Sequence, residues 1–315
     1  MLSPLGLALS FLLVLPCFAG SGPWVLSEGE TSIFLGAEAQ RFDRLALSSG
    51  MGASDVIDTD DGIESTLVKG VVSHGIRKGV ELELDVPWAR VEANRPDGPV
   101  CASLGAATCS RTQGLAPVGV QVKGLVLDEL YGAPVSMSVA ATGRFGQWTG
   151  PRRSRVTNLG EGTTDLGAAV ALGRSGGLGQ GFWSAHVDTE WRYRLSNIAD
   201  ASPSVPGYEI IIDAEALGGA RSWWSLGPTL SWFERPQGID VEDLLSDPEL
   251  AVDIDRFARL RVRNVRVGGK LLIRSSERTT LALGGFATAA AVNNPVVAGA
   301  SIGLGLQPRN MRAED

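Results

Sequence analysis

Histidine, cysteine, lysine and long apolar runs are all scarce in this 315-residue chain, and each scarcity excludes a class of protein. Two histidines and three cysteines are too few for a histidine-rich metal centre or an array of zinc ribbons. Only four of the 28 basic residues are lysines and the net charge is −7, which argues against a general nucleic-acid-binding protein. Beyond the N-terminal segment no apolar run reaches about 18 residues, so no transmembrane helix is predicted there.

Glycine, by contrast, is abundant, but its 40 residues follow no Gly-X-Y period, which excludes a collagen-like chain. A hydrophobic share of 44% is too high for a disordered chain. The length fits two small domains or one large all-β domain.

The N-terminal segment predicts export. Residues 5–16 form one apolar run of the length of a signal-peptide core, too short to span a membrane, and small residues follow it. We expect residues 1–20 to be a signal peptide, cleaved after Ala19 or Ser21, and residues 21–315 to form the exported domain. Cys17 as a lipoprotein acceptor is an alternative that the preceding Pro16 disfavours.

The two remaining cysteines, Cys101 and Cys109, lie in a small-residue stretch between Pro99 and Pro117 that is typical of a loop. In an exported protein such a pair is expected to form a short-range disulfide. A metal pair is the alternative, but no histidine or third cysteine lies near in sequence.

Alternation of apolar and polar residues continues along the rest of the chain. In residues 80–86 aliphatic side chains alternate with Glu81, Glu83 and Asp85, and residues 183–195 alternate in the same way. The pattern predicts about twelve strands. They lie near residues 30–42, 62–73, 79–90, 117–129, 134–146, 163–173, 180–195, 207–217, 222–233, 257–274, 278–290 and 295–307.

The connections between these segments alternate in length. The short ones are 74–78, 130–133, 174–179, 218–221 and 275–277, and the long ones are 43–61, 91–116, 147–162, 196–206 and 234–256. Only the last, 292–294, breaks the rule by being short. Tight periplasmic turns and long extracellular loops are typical of an antiparallel up-and-down transmembrane β-barrel, the predicted fold class.

The tryptophans indicate which face points outward. Trp183 and Trp191 are eight residues apart on one face of a strand, as are Trp224 and Trp232, which at a usual strand tilt corresponds to about 20 Å. We therefore expect the apolar face to contact lipid. A soluble lipocalin-like barrel is the alternative, but it would have about eight strands and needs no paired tryptophans. The predicted aromatic girdle comprises Trp183, Trp191, Tyr193, Trp224 and Trp232.

The opposite face would then line the lumen. The alternation of charged and apolar residues shifts by one position near Asn264, as a β-bulge would cause. With this shift, the arginines before and after Asn264 form one ladder on the lumen face. The charged rows could tune which solutes pass, or could fill a narrow barrel with ion pairs and close it. The predicted lumen-lining residues are Arg259, Arg261, Arg263, Arg266, Arg274, Glu81, Glu83, Asp85, Asp188, Glu190 and Arg192, with Lys270 among the ladder.

Support for catalysis is thin. Ser184, His186 and Asp188 share one face, but side chains two residues apart on a strand are separated by nearly 7 Å, too far for a direct hydrogen bond between Ser184 and His186 without adjustment. A polar row in the lumen explains them as well. No catalytic residue, metal or cofactor is predicted, and an outer-membrane hydrolase is the least favoured function.

Three stretches resemble a known family. Residues 23–30 (PWVLSEGE), 75–88 (GIRKGVELELDVPW) and 159–174 (LGEGTTDLGAAVALGR) are similar to segments of the bacterial outer-membrane transporters assigned to the meta-pathway of phenol degradation. The likeness covers most of residues 23–195 and fades afterwards. It implies a monomeric barrel that moves small, often aromatic or apolar, compounds and has no catalytic residues.

The sequence thus predicts a transporter or diffusion channel in the bacterial outer membrane. Its expected partners are membrane lipid, lipopolysaccharide and a small solute, with no nucleic acid. A structural or surface-interaction barrel whose lumen is plugged by its own charges is the second hypothesis.

Overall fold

A computed structural model of the chain describes residues 22–49, 53–93, 111–146, 164–195, 207–237, 261–276 and 278–308. The predicted signal peptide, both cysteines of the predicted disulfide (Cys101 and Cys109) and Arg259 lie outside these ranges. The signal peptide and the disulfide therefore stay predictions.

Thirteen strands make up the described part of the chain. They are β1 Thr31–Ser49, β2 Ala53–Arg77, β3 Val80–Ala93, β4 Thr112–Leu115, β5 Val118–Leu127, β6 Ser136–Phe145, β7 Thr164–Leu178, β8 Gly181–Leu195, β9 Tyr208–Arg221, β10 Trp224–Arg235, β11 Val262–Ser276, β12 Thr279–Val292 and β13 Asn294–Leu306. The helical content of the described ranges is one short 3-10 helix, Glu129–Tyr131, and no helix there is long and apolar enough to cross a membrane.

Twelve of the strands close into an antiparallel barrel. Successive strands pair with each other, and β1 pairs with β13 on one side and with β2 on the other, which joins the two ends of the sheet. The remaining strand, β4, pairs with β3 beside β5. Closure leaves no open edge among the twelve, the condition for a sheet that must satisfy its own backbone hydrogen bonds.

The predicted fold class and strand count are confirmed, with two differences in detail. The four-residue strand β4 lies inside the segment 91–116 that was expected to be a loop. The expected long loop 43–61 is wrong, because β1 and β2 continue as a paired ribbon up to the partners Ser49 and Ala53. All five expected short connections join their strands at one end, called here the turn end. The connection between β5 and β6 carries the 3-10 helix, and others are tight turns such as those at Lys78 and Gly79 and at Ser222 and Trp223. The opposite end is called the loop end.

The side chains obey the predicted orientation. Large apolar residues such as Leu226, Val170 and Trp191 are exposed on the outer surface, while charged residues such as Glu209 and Arg192 are buried inside. A soluble barrel would show the reverse arrangement. Apolar side chains outside and charged ones inside are the pattern of a barrel that sits in a lipid bilayer.

The expected shift of the alternation in β11 is wrong. This strand keeps one phase from Val262 to Arg274, and the irregularity lies on β12, where Ala289 is the extra residue. Arg263 therefore points to the outer side, where it pairs with Glu234 at 2.6 Å, so its assignment to the lumen is wrong. Arg261, just before the strand, is exposed.

Candidate functional site: the interior of the barrel

An N-terminal segment, residues 22–29, enters the barrel at the turn end. The backbone N–H of Gly22 donates to Asp188 of β8 at 3.0 Å, and that of Leu26 donates to Glu81 of β3 at 2.8 Å. Gly29 donates to the carbonyl oxygen of Gly75 on β2 at 2.8 Å. The segment thus runs inside the wall from β8 to β2 before the chain begins β1.

Two wall glycines allow this close approach. A Cβ on Gly75 would clash with the backbone of Ser27, and a Cβ on Gly173 would lie 2.9 Å from the ring of Pro23. A side chain at either position would have to displace the segment. Glycine lets one backbone approach another where any larger residue would block it.

Trp24 fixes the middle of the segment. Its indole N–H donates to Glu129 at 3.2 Å, and its ring meets the ring of His186 edge-on, with centroids 5.7 Å apart. Glu129 also accepts hydrogen bonds from the backbone N–H and the hydroxyl of Ser175. Burial raises the pKa of Glu129, but the hydrogen bonds from Ser175 and Trp24 and the nearby Arg174 outweigh it, so its pKa lies below the usual value.

A cavity lies beside the segment. It has a volume of about 830 Å³ and is bounded by β8, β9, β11, β12, β13 and β1, by the turn before β10 and by Trp24. Its mouth lies at the turn end, beside Ser222 and Arg278. Three of its lining residues, His186, Glu215 and Lys270, also line a smaller space of about 40 Å³ deeper in the barrel. The interior therefore narrows from the turn end towards its middle.

Charged and aromatic side chains form the narrow region. Arg266, which is buried, lies with its guanidinium 5.4 Å from the ring centre of Phe286. Lys270 donates to Glu215 at 2.7 Å. Asp188 and Asp213 line the same small space. The small space therefore presents both signs of charge in a confined volume.

A buried ion network lies at the loop end of the interior, on β8, β9 and β10. Glu209, 1% exposed, accepts from Arg235 at 2.7 Å and from Arg192 at 3.3 Å, and Arg194 lies 3.4 Å from it. Arg192 also binds Glu190 at 2.7 Å. Three guanidinium groups thus surround one carboxylate, an arrangement stable only if every partner is present.

Lysines on β2 and β5 neutralise the acidic row of β3. Lys123 lies 3.2 Å from Glu81, and Lys69 lies 2.9 Å from Asp85. The third member, Glu83, accepts from the hydroxyl of Ser73 at 3.1 Å. The expectation that opposed rows of charge would pair inside the barrel describes this half of the interior.

The structure separates the proposed lumen residues into groups. Glu81, Glu83 and Asp85 lie on β3, and Glu190 and Arg192 belong to the loop-end network. Arg274 lines the cavity instead, with its guanidinium 4.5 Å from the ring centre of Phe182. The lumen role of these residues remains a proposal, as does the girdle role of the aromatic residues. Trp191, Tyr193 and Trp232 are exposed on the outer surface near the loop end, and Trp183 and Trp224 are partly exposed near the turn end.

The geometry does not form a hydrolytic triad. Asp188 accepts the N–H of Gly22 and lies 3.4 Å from the Nε2 atom of His186, whose ring packs on Trp24. Among the described residues, Ser184 has no hydrogen bond to His186 and lines the cavity wall. These three residues hold the N-terminal segment and bound the cavity.

Several site residues were missed by sequence reasoning. Lys69 and Lys123 are two of only four lysines and lie on the polar face of predicted strands, a signal that could have been used. Arg194 and Arg235 were equally visible in the alternation. The N-terminal segment gave no signal, because residues 22–29 have no alternation and their partners lie up to 166 positions away.

Comparisons with known proteins agree at the level of the fold. No protein-family model matches the chain and no curated protein matches its sequence, so the resemblance to the phenol-degradation transporters stays a prediction. Among solved structures, the chain is similar to an outer-membrane channel from Pseudomonas putida F1. The TM-score is 0.65 at 15% identity, over 92% of this chain and 98% of that one.

Two further solved structures are less similar. The NanC porin has a TM-score of 0.48 at 10% identity, over 86% of this chain and 98% of that one. The transport unit of the autotransporter AIDA-I from Escherichia coli has a TM-score of 0.47 at 8% identity, over 95% and 94% of the two chains. Both scores are too low to carry an argument. The described fold is accordingly an antiparallel β-barrel similar to that of the channel from Pseudomonas putida F1.

Proposed function

We propose that this chain is a narrow channel of the bacterial outer membrane that passes small solutes through the interior of its barrel. Its apolar outer surface supports a position in lipid, because such a surface would aggregate in water. The predicted signal peptide supports export. The turn end would then face the periplasm, as short turns do in barrels of this type.

One observation carries the proposal: the interior holds a large cavity that continues into a smaller space. The cavity and the small space share His186, Glu215 and Lys270, so the two lie end to end along the barrel. A barrel of about twelve strands is narrow, and side chains can fill much of its cross-section. Phe286 and Arg266 at the small space would therefore set the size limit.

Single-channel recording in planar bilayers tests the proposal. The purified barrel is expected to show small, discrete current steps, and Phe286→Ala is expected to enlarge them several-fold because it removes the ring at the constriction. Leu283→Ala, on the outer face of the same strand, is the matched control and should leave the steps unchanged. Swelling of proteoliposomes in uncharged sugars of increasing size gives the limit for neutral solutes.

A second function is favoured by the loop-end network. Glu209 and its three arginines are all buried, and such a cluster would close the barrel to solutes and make it a structural or surface-interaction protein. The recordings separate the two functions. If neither the unaltered barrel nor Phe286→Ala conducts current, the channel function is rejected and the plugged structural barrel is the function that remains.

A further inference from the structure

The cavity at the turn end has an apolar collar. The collar comprises Phe34, Phe182, Leu217, Leu272 and Ala282, which come from five different strands. Phe34 and Ala282 are buried and pack with Leu272. A collar of aromatic and aliphatic side chains around an open volume is the kind of wall that binds the apolar body of a small molecule.

Cations surround this collar on both sides. Arg274 and Arg278 line the cavity near its mouth, and Lys270 lines its deeper part. Among the described residues that line it, Glu215 is the one carboxylate, and Lys270 already neutralises it at 2.7 Å. No described carboxylate pairs with Arg274 or Arg278. The lining therefore carries an excess of positive charge.

The position of Arg274 suits an anion. Its guanidinium lies against the ring of Phe182, 4.5 Å from the ring centre, so one face of the guanidinium is covered. This contact occupies no N–H group of the guanidinium, and planar N–H pairs of arginine match the two oxygens of a carboxylate. The hydroxyls of Ser222 and Ser276 line the same mouth and are further donors.

We propose that this cavity binds a small organic anion, a carboxylate on an aromatic or alkyl body. The body would occupy the collar, and the carboxylate would pair with Arg274 and Arg278. The volume of about 830 Å³ lies within the range of small-molecule sites, which is roughly 300–1,000 Å³. The proposal deepens the proposed channel function, on which it rests, by naming the class of its solute.

Other solute classes fit the cavity less well. A cation would be repelled by the two arginines at the mouth. A neutral hydrocarbon would fill the collar, but it would displace water from Arg274 and Arg278 without replacing its hydrogen bonds, and that desolvation opposes binding. A sugar would match the donors but not the apolar wall.

Titration calorimetry on the detergent-solubilised barrel tests the site directly, with phenylacetate as the probe and phenylacetamide as its neutral isostere. We expect phenylacetate to bind more tightly than phenylacetamide. Each of Arg274→Gln and Arg278→Gln should weaken phenylacetate about tenfold, the usual effect of losing one hydrogen bond to a charged group, and leave phenylacetamide unchanged. Arg77→Gln, at the turn end of β2 but outside the cavity lining, is the matched control and should bind like the unaltered barrel.

Two controls accompany these variants. Heat-dependent mobility on gels reports whether each variant is a folded barrel, and Arg274→Lys keeps the charge while losing the paired N–H groups, so an intermediate loss is expected. Equal affinity for phenylacetate and phenylacetamide would overturn the proposal. So would unchanged binding by the folded double variant of Arg274 and Arg278. Preference for phenyl phosphate over phenylacetate would overturn the choice of carboxylate.

The anion site and the channel can be rejected independently of each other. Calorimetry needs no flow through the barrel, so a silent barrel that binds phenylacetate would reject the proposed channel and retain the anion site. A conducting barrel that does not distinguish phenylacetate from phenylacetamide would reject the anion site and retain the channel.

Discussion

The backbone N–H of Gly22 donates to the carboxylate of Asp188 at 3.0 Å inside the barrel. This bond ties the first described residue of the chain to the interior face of β8, and the attachment continues from Trp24 to Glu129 of the 3-10 helix and from Leu26 to Glu81 of β3. The N-terminal segment is thus part of the interior wall, and it decides which half of the lumen remains open.

Loss of this bond should loosen the segment. In Asp188→Ala the N–H of Gly22 loses its acceptor, and we expect backbone amides of residues 22–26 to exchange with deuterium much faster. Thr189→Ala, on the outer face beside it, is the control and should leave exchange unchanged. Equal protection of the segment in Asp188→Ala and the unaltered barrel would show that other contacts hold it.

Acid should release Trp24 through Glu129. The pKa of Glu129 is lowered in the folded barrel, so its stabilising contribution is present above its unfolded pKa of about 4.3 and is lost as the pH falls through the lower folded value. We expect Trp24 fluorescence to change in this acid range. Glu129→Gln should show the released signal at neutral pH and no acid transition; an identical transition in this variant would contradict the assignment.

The loop-end ion network should dominate the electrostatic contribution to stability. Glu209→Gln leaves Arg192, Arg194 and Arg235 around a neutral side chain, and removal of one partner from a buried cluster costs about 3–5 kcal/mol. The control is Glu92→Gln, whose pair with Arg90 is partly exposed, with an expected cost of at most about 1 kcal/mol. Urea unfolding of the barrel in lipid vesicles measures both. Equal losses of unfolding free energy in the two variants would mean that the buried network stabilises the barrel no more than a partly exposed ion pair does.

A charged side chain on the outer surface should destabilise the barrel when it is placed near the middle of a strand. Val170 is exposed on the outer face near the middle of β7, and Val170→Arg should lower the free energy of unfolding in lipid by about 2–4 kcal/mol. Leu130→Arg, at an 87% exposed position in a turn, should have little effect. A tolerated arginine at position 170 would place this face outside the bilayer.

The sequence predicted the barrel well because alternation is a local signal. The twelve strands and the face that each turns outward follow from the alternation of side chains along the chain. Closure follows because every strand edge in lipid needs partners for its backbone hydrogen-bonding groups. The long loop expected at 43–61 was wrong because no alternating segment was recognised between residues 42 and 62, although β1 and β2 continue through this region as a paired ribbon.

The interior was predicted less well because its contacts are long-range. The error at Arg263 came from the interpretation that charged and apolar residues exchange faces near residue 264 because of a bulge in β11, whereas β11 pairs with β10 through this region without a register shift. The cavity depends on the path of residues 22–29, whose partners lie on β2, β3 and β8, and no local pattern specifies that path.

A cysteine placed on the cavity wall tests whether solutes pass through this interior. Ser184→Cys is made in a chain whose other cysteines are replaced by serine, and a water-soluble methanethiosulfonate is added from the turn end during recording in a planar bilayer. The account predicts that modification blocks most of the current, whereas the same reagent has no effect on Leu226→Cys, which faces outward. A current that persists unchanged after mass spectrometry confirms modification at position 184 would contradict passage through the cavity.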